Sequence, residues 1–457
     1  MSQNKKSTIN ADENCSEPLY IQLYNHYKKA IVSGNLKAGS KLPSIRKCAA
    51  QLIISHTTVE TAYFQLEAEG YIKSIPGSGF YVNELNYKSD YEKLSIQKNE
   101  YRDQKKILYD FASATVDINS FKFDTWRKYI KSALREEERL LSYGEYQGEY
   151  DLRVELCKYV SKHRGAICIP EQIVVGAGTQ NLMQILCSLT NKRELVTFIN
   201  GDFIQGRAVF EDRGIRTKVF YSHEFSCSSL EDSKIIYTSP SHINPCGDVM
   251  QMKERAELLS FAKAQDCLII EDDYDSEFRY YGRSVPCLQG LDGGENVVYM
   301  GTFSKLLLPS IRISFMILPM KLLGDYYSRG KNYNQTASKM EQIALCKFIR
   351  DGHFQRQVNK ARRLYTEKSI KLCQTIDKVF KDKGSSICGS GGFLVQLEVK
   401  SDLTCDELVD IAAGEGVLVK DFQSYDGKYP RLLLSCSGVS EDDFEKALVI
   451  LKKSIFI

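Results

Sequence analysis

No continuous apolar run approaches the ~18 residues that a membrane-spanning helix requires. The start, "MSQNKKSTINADENCSEP", also lacks the apolar core of a signal peptide. Both absences predict a cytoplasmic protein. Charge of one sign is missing too: 61 Lys and Arg against 58 Asp and Glu leave a net +3, so no overall field points to a partner. The 14 cysteines form no C-x-x-C pair, and the six histidines make no cluster with them at metal-ligand spacing. The cysteines therefore read as reduced, mostly buried thiols, and no metal site is expected. Internal repeats are absent. What remains is a chain of ordinary globular composition, 43% apolar and 26% charged. At 457 residues it fills two or three cored domains.

After a polar stretch, 1–17, read as a disordered tail, three helical patterns follow. In "PLYIQLYNHYKKAIVSG" the residues Tyr20, Leu23, Tyr24, Tyr27 and Ile31 recur at helical spacing, and Gly34 supplies the stop. "LPSIRKCAAQL" has Pro43 at an early helix position and Ile45, Cys48, Ala49 and Leu52 on one face. "TTVETAYFQLEAEG" carries Val59, Tyr63 and Leu66 as its stripe and ends at Gly70. Two short helices joined by a tight turn make a helix-turn-helix. "YIKSIPGSGFYV" then gives two short β runs around Pro76, Gly77, Ser78 and Gly79, a hairpin, so the whole reads as a winged helix over 18–82. A small helical bundle with no DNA role is the plainer reading. Charge does not separate the two, because residues 19–82 hold seven Lys and Arg against three Asp and Glu.

The order of these motifs closely resembles the winged-helix DNA-binding domain of the GntR regulators. The resemblance implies double-stranded promoter DNA as a partner. It puts Arg46 on a phosphate or base edge, Ser55, His56, Thr57 and Thr58 at the start of the recognition helix in the major groove, and Gly77 and Ser78 at the wing tip. His56 and Glu60 stand where the family often has arginine, which alters the expected operator.

Residues 83–108, "NELNYKSDYEKLSIQKNEYRDQKKIL", are polar and charged, without Gly, Pro or sustained apolar periodicity. They read as an extended or partly helical linker, or else as a solvated helix of the next domain.

Beyond Tyr109 strand-length apolar runs alternate with helical stretches: "IVV" at 173, "LVTFI" at 195, "KIIYT" at 234, "CLIIE" at 267 and "VVYM" at 297. That alternation predicts an α/β fold with a mostly parallel sheet covered by helices on both faces, where ligands bind beyond the C-terminal strand ends. Each of four strand ends carries chemistry. "GAGTQ" opens a helix whose amides form a phosphate cup; "SPSHINPCG" includes Asn244, Pro245 and Gly247; "EDDYDSEF" offers consecutive carboxylates and Tyr274; "GTFSK" ends on Lys305. Singly, the acids read as helix caps and the lysine as solvated. Together, a phosphate cup, an acid, a phenol and an amine on one sheet edge are what pyridoxal 5'-phosphate needs.

"SYGEYQGEYDLR", "VVGAGTQ", "TSPSHINPCG", "EDDYDSEFRY", "GTFSKLLLPSIRISF" and "GHFQRQVNKARRLY" resemble the fold-type I aminotransferases. With the winged helix before them, they resemble the MocR-type regulators that fuse the two domains. The resemblance implies an aminotransferase-like domain over 109–457, with a smaller C-terminal α+β subdomain from about 325. It implies that Lys305 forms the internal aldimine and that Asp272 pairs with the pyridine nitrogen, while Asp273 and Asp275 are structural. Tyr274 and Asn244 would hydrogen-bond the phenolic oxygen, the asparagine being more typical of the enzymes than of the regulators. Gly178, Thr179, Thr302, Ser304 and Arg312 would hold the phosphate, and Phe203 would stack on the ring. Tyr143 would reach in from the partner of a homodimer. A substrate carboxylate calls for a guanidinium; "PRLLLSCSGVSEDDFEKAL" nominates Arg431, and Arg207 is a second candidate. Two functions stay open: a regulator that senses an amino compound at Lys305, and an aminotransferase whose DNA-binding domain serves autoregulation. A regulator that senses pyridoxal phosphate itself is a third.

Overall fold

The computed structural model of the protein describes residues 17–85, 107–113, 115–190, 194–199, 203–221, 227–244, 247–280, 285–422 and 428–456. The expected tail and most of the expected linker lie outside the described residues. The chain divides into two compact units, residues 1–102 and 103–457.

In the first unit, α1 (Leu19–Val32) buries Leu23, Tyr24, Tyr27 and Ile31. α2 (Ile45–Leu52) starts at Ser44, whose side chain accepts from the Lys47 amide. Pro43 therefore precedes the cap and does not enter the helix, because the serine side chain is the better partner for the free amides. α3 (His56–Ala68) is capped by Ser55 and buries Val59, Ala62, Tyr63 and Leu66. β1 (Ile72–Ile75) and β2 (Gly79–Val82) pair antiparallel in register Ile72 to Val82. Gly77, at φ +74, makes the turn between them. The side chains of Leu23, Tyr27, Tyr63, Leu66 and Val82 meet in one core, so helices and hairpin fold as a single winged helix.

The second unit opens with β3 (Tyr109–Asp110), α4 (Phe123–Leu134), α5 (Glu137–Leu140) and α6 (Tyr150–Arg164). Strand and helix then alternate through β4 (Ile173–Gly176), α7 (Thr179–Leu189), β5 (Leu195–Ile199), α8 (Ile204–Glu211) and β6 (Arg216–Phe220). The series continues with β7 (Ile235–Thr238), α9 (Met252–Gln265), β8 (Leu268–Asp273), α10 (Leu288–Asp292), β9 (Val297–Thr302) and β10 (Ser314–Ile317). These seven strands form one sheet in the order β4-β10-β9-β8-β7-β5-β6. β5 to β9 run parallel to their neighbours, and β10 alone is antiparallel, to β4 and β9. The apolar runs are continuous because both faces are covered. Ile269 packs with Leu258 and Ala262 of α9 on one face, and Ile270 with Leu182 and Met183 of α7 on the other.

α11 (Met320–Gly330), α12 (Lys339–Arg350) and the 28-residue α13 (His353–Phe380) lead to the remaining elements. These are β11 (Gly384–Ile387), β12 (Leu394–Val399), α14 (Cys405–Gly414), β13 (Val417–Leu418), β14 (Lys420–Phe422), β15 (Arg431–Ser435) and α15 (Phe444–Ile455). A four-stranded antiparallel sheet runs β11-β12-β15-β14, and β13 pairs with β3.

The expectation of reduced thiols throughout is corrected at one place: Cys373 of α13 and Cys388, just past β11, form a disulfide. Packing of that helix against that strand brings the two together, which their dispersal along the chain does not reveal. No helix among the described residues is long and apolar enough to cross a membrane.

Candidate functional site

Beyond the C-terminal ends of the parallel strands lies a cavity of about 550 Å³. Five segments build it, each leaving the end of a strand. After β4 the chain turns at Gly178, φ +99, and α7 begins at Thr179, so the free amides of that helix end face the cavity. After β5 comes Phe203, immediately before α8. β7 delivers Tyr237 and Thr238, followed by Ser239, His242 and Ile243; β8 delivers Asp272 and then Tyr274; β9 delivers Thr302, then Ser304 and Lys305. Arg312 completes the wall from the turn into β10, at φ +47.

The arrangement separates two kinds of chemistry. At one end the Gly178 turn, the start of α7, the Thr302 and Ser304 hydroxyls and the Arg312 guanidinium gather donors for an anion. The Ser314 hydroxyl donates to Thr302 Oγ1 at 2.8 Å and Arg312 Nη2 to the Ala177 carbonyl at 3.4 Å, which fix that end. A Cβ at Gly178 would collide with the Arg312 guanidinium, so only glycine lets the cation approach the helix terminus. Arg312 adopts a left-handed conformation that a non-glycine residue takes at a cost, a strain typical of binding sites.

The lining also holds a half-buried amine and a buried acid. The Lys305 ammonium group sits 4.1 Å from the Tyr274 ring centroid and 4.9 Å from that of Phe393. Burial pulls its proton affinity down, partly offset by Asp275 and Asp272. Burial pushes Asp272 up to about 6, although the Tyr237 hydroxyl donates to it and favours the charged form. Such a carboxylate suits a cationic partner in the cavity. Phe203 and Tyr237 stack at 27°, their centroids 6.1 Å apart. Asp273 points the other way, onto Arg164 Nε and the Tyr299 hydroxyl, each at 2.6 Å.

Of the residues nominated from the sequence, Gly178, Thr179, Phe203, Asp272, Tyr274, Thr302, Ser304, Lys305 and Arg312 line this one cavity. Four others do not. Asn244, expected beside Tyr274, donates from its amide to Asp248 Oδ2 at 2.7 Å, a partner four residues on that the turn supplies. Arg431 opens β15 directly across from Glu398 of β12 and pairs with it at 3.2 Å, a cross-strand contact that keeps its guanidinium on the smaller sheet. Arg207 faces Glu211 one helical turn on, at 3.2 Å. Tyr143 is 91% exposed at the surface of the chain. Tyr237, Ser239 and His242 were missed. They stand in "YTSPSH" at a strand end, but a phenol, a hydroxyl and an imidazole there carry no spacing signal of their own.

In the winged helix, Arg46, His56 and Thr57 are exposed. Ser55 is engaged as the cap of α3, accepting from the Thr58 amide at 3.1 Å with its hydroxyl 2.7 Å from that of Thr58. His56 lies 4.0 Å from Glu60 one turn on. Gly77 tips the wing, and the Ser78 hydroxyl lies 2.6 Å from that of Tyr81.

Two family models match the chain: "Bacterial regulatory proteins, gntR family" over residues 19–82 and "Aminotransferase class I and II" over residues 99–451. The uncharacterized HTH-type transcriptional regulator YdeL of Bacillus subtilis is 36% identical over 95% of this chain and 96% of its own length. The probable rhizopine catabolism regulatory protein MocR of Rhizobium meliloti is 33% identical over 79% of this chain and 78% of its own. Among solved structures, a kynurenine aminotransferase of Pyrococcus horikoshii in complex with PMP superposes with a TM-score of 0.67 at 19% identity, covering 80% of this chain and 98% of that one. That likeness is one of fold.

Proposed function

The chain belongs to the MocR-type regulators, a GntR winged helix joined to an aminotransferase class I and II domain, and on that premise we propose that it is a DNA-binding transcriptional regulator whose cavity holds pyridoxal 5'-phosphate and senses an amino compound. The observation that carries the cofactor reading is that an amine, Lys305, and a buried acid, Asp272, line one cavity whose wall also gathers anion donors. Gly178, Thr179, Thr302, Ser304 and Arg312 would hold the phosphate, Asp272 would face the ring nitrogen and Phe203 the ring. The fit extends to Gly178, where a side chain would displace Arg312 from the phosphate end. The bound cofactor supplies an aldehyde for the lysine and an electron sink for an amine that replaces it.

Around it, the protein's own residues bind and hold protons. Asp272 is poised to keep a proton on a facing nitrogen, supported in its charged form by Tyr237. Lys305 offers an amine whose burial disfavours the ammonium form and so favours the nucleophile. An amino compound that displaces Lys305 would alter the charge at Tyr274 and Asp275, and a ligand with different affinity for two arrangements of the protein shifts it between them. Arg46, His56, Thr57 and the wing at Gly77 and Ser78 would contact promoter DNA. A homodimer would bring the exposed Tyr143 to a partner subunit. Turnover as an aminotransferase is the competing reading. The asparagine that favoured it, Asn244, is engaged by Asp248 and does not line the cavity.

The test uses full-length protein loaded with pyridoxal phosphate. Amines and amino acids are added while visible absorbance, keto-acid formation and binding to the promoter of the neighbouring gene are followed. A changed spectrum with altered promoter binding and no sustained keto acid is the expected result. Steady keto-acid release sinks the pure-regulator reading, and an unchanged spectrum with every amine sinks the sensing role.

A further inference from the structure

Asp272 is not the acid that acts most strongly on Lys305. Asp275 does so, three residues on, where the chain has left β8. Asp275 is itself paired: His242 Nδ1 lies 2.8 Å from its carboxylate, and the two side chains are 6% and 2% exposed. Burial alone would raise the Asp275 carboxyl, but the neighbouring His242 and Lys305 hold it below the usual carboxylate range. The imidazole also packs on the Tyr274 ring, centroids 4.9 Å apart, and that ring is the one under the Lys305 ammonium.

A carboxylate this deeply buried is costly unless a polar neighbour satisfies it, and the His242 imidazole stands in that place. The fold does not need the pair as an anchor: β8 is already tied down through Asp273 to Arg164 and Tyr299. A backbone strap is shaped around the pair instead. Gly392, at φ +84, passes so close that a Cβ would sit 3.2 Å from His242 Cε1 and 3.8 Å from Asp275 Oδ2. The next residue, Phe393, is the second ring against Lys305. Imidazole, phenol and amine thus line the cavity as one contiguous group, with the Asp275 carboxylate buried behind the imidazole.

We propose that His242 is a positioning residue of the lysine site: it aims and partly neutralises the Asp275 carboxylate, and through Asp275 it sets how firmly the Lys305 nitrogen keeps its proton. The inference rests on the reading of Lys305 given above. It adds a second acid, with its own regulator, beside the one that faces the ring nitrogen. The charged and titratable groups acting on Lys305 are Asp275, Asp272 and Lys420 of β14, with the Tyr274 ring in contact. Asp275 feels His242 and Lys305. Removing the imidazole leaves the anion uncompensated and strengthens its hold on the ammonium form; removing the anion does the opposite.

The experiment titrates the visible absorbance of the Lys305-linked cofactor against pH in wild type, His242→Leu, His242→Asn and Asp275→Asn. Asn at 242 keeps an amide donor near the position of Nδ1. The expected midpoint rises by about one pH unit, a tenfold gain in proton affinity, in His242→Leu and falls by a similar amount in Asp275→Asn. His242→Asn lies between wild type and His242→Leu. An unchanged midpoint in His242→Leu, or movement of His242→Leu and Asp275→Asn in the same direction, overturns the proposal. Should His242→Leu not fold, unchanged midpoints in both remaining variants overturn it equally. A parallel measurement on cofactor-free protein reads the pH dependence of Lys305 acetylation by dilute acetic anhydride, through peptide masses, and the same order is expected. A wild-type protein that takes up no cofactor refutes the cofactor reading, whereas the acetylation series still decides the role of His242.

Discussion

The hydroxyl of Tyr237 donates to the carboxylate of Asp272. The two residues are the penultimate ones of adjacent parallel strands, β7 and β8, and the contact joins a tyrosine of an apolar strand run to the acid of "EDDYDSEF". Tyr237→Phe deletes the only atom that makes this bond and leaves the ring stacked with Phe203. Hydrogen bonds to a charged group contribute ~1.5–3 kcal/mol. Cofactor binding in Tyr237→Phe is therefore expected to weaken by about tenfold or more, read by equilibrium titration of protein fluorescence; unchanged affinity would show that the phenol does not support the acid.

Lys305→Ala removes the amine altogether. The visible band of lysine-linked cofactor should disappear, with the fold retained by far-UV circular dichroism. A persisting band would assign the linkage to another residue.

Gly178→Ala tests the phosphate end. The added methyl meets the Arg312 guanidinium at a backbone angle that favours glycine. At least a tenfold loss of cofactor affinity, the equivalent of ~1.4 kcal/mol, is expected, with inorganic phosphate competing less well than in wild type.

Glu271 gives a pH-dependent prediction. Its carboxylate is fully buried in β8 and accepts from the Leu288 and Gln289 amides at 2.9 and 3.0 Å. Burial nevertheless raises it to about 7 from an ordinary value of 4.5. The folded protein thus holds this proton more tightly than the unfolded chain, and its contribution to stability is present below about 4.5 and lost as pH climbs through 7. Glu271→Gln cannot lose that proton. Its stability relative to wild type should improve between pH 5 and pH 8, by an amount on the order of 3 kcal/mol, measured by urea unfolding at each pH. A difference that is flat with pH would contradict the assignment.

Arg46→Ala should weaken promoter binding on all sequences alike and lower the slope of log affinity against log salt by about 1 if the guanidinium neutralises a phosphate. Loss of preference at one base pair, with little change in salt slope, would place it on a base edge instead. Fluorescence anisotropy at several salt concentrations distinguishes the two.

Much of this protein is determined locally. The apolar stripe of α3, its serine cap, the glycine turn of the wing and the unbroken runs of β7, β8 and β9 follow from the periodicity and chemistry of consecutive residues, which act within a few ångströms of themselves. The same holds for the cavity's skeleton: a glycine turn, an acid and a lysine, each at or just past the C-terminal end of a strand, come together because parallel strands align those ends. Tertiary structure alone decided the rest. β6 and β10 are set by their neighbours in the sheet, and β10 reverses direction between β4 and β9. Asn244 and Arg431 carry the right chemistry for the cavity but are held elsewhere by Asp248 and Glu398. His242 and Asp275, 33 positions apart in a chain without other sign of their kinship, meet beside Lys305. A side chain's charge and size are fixed by its identity, but the partner that claims it is chosen by which strands and turns pack side by side.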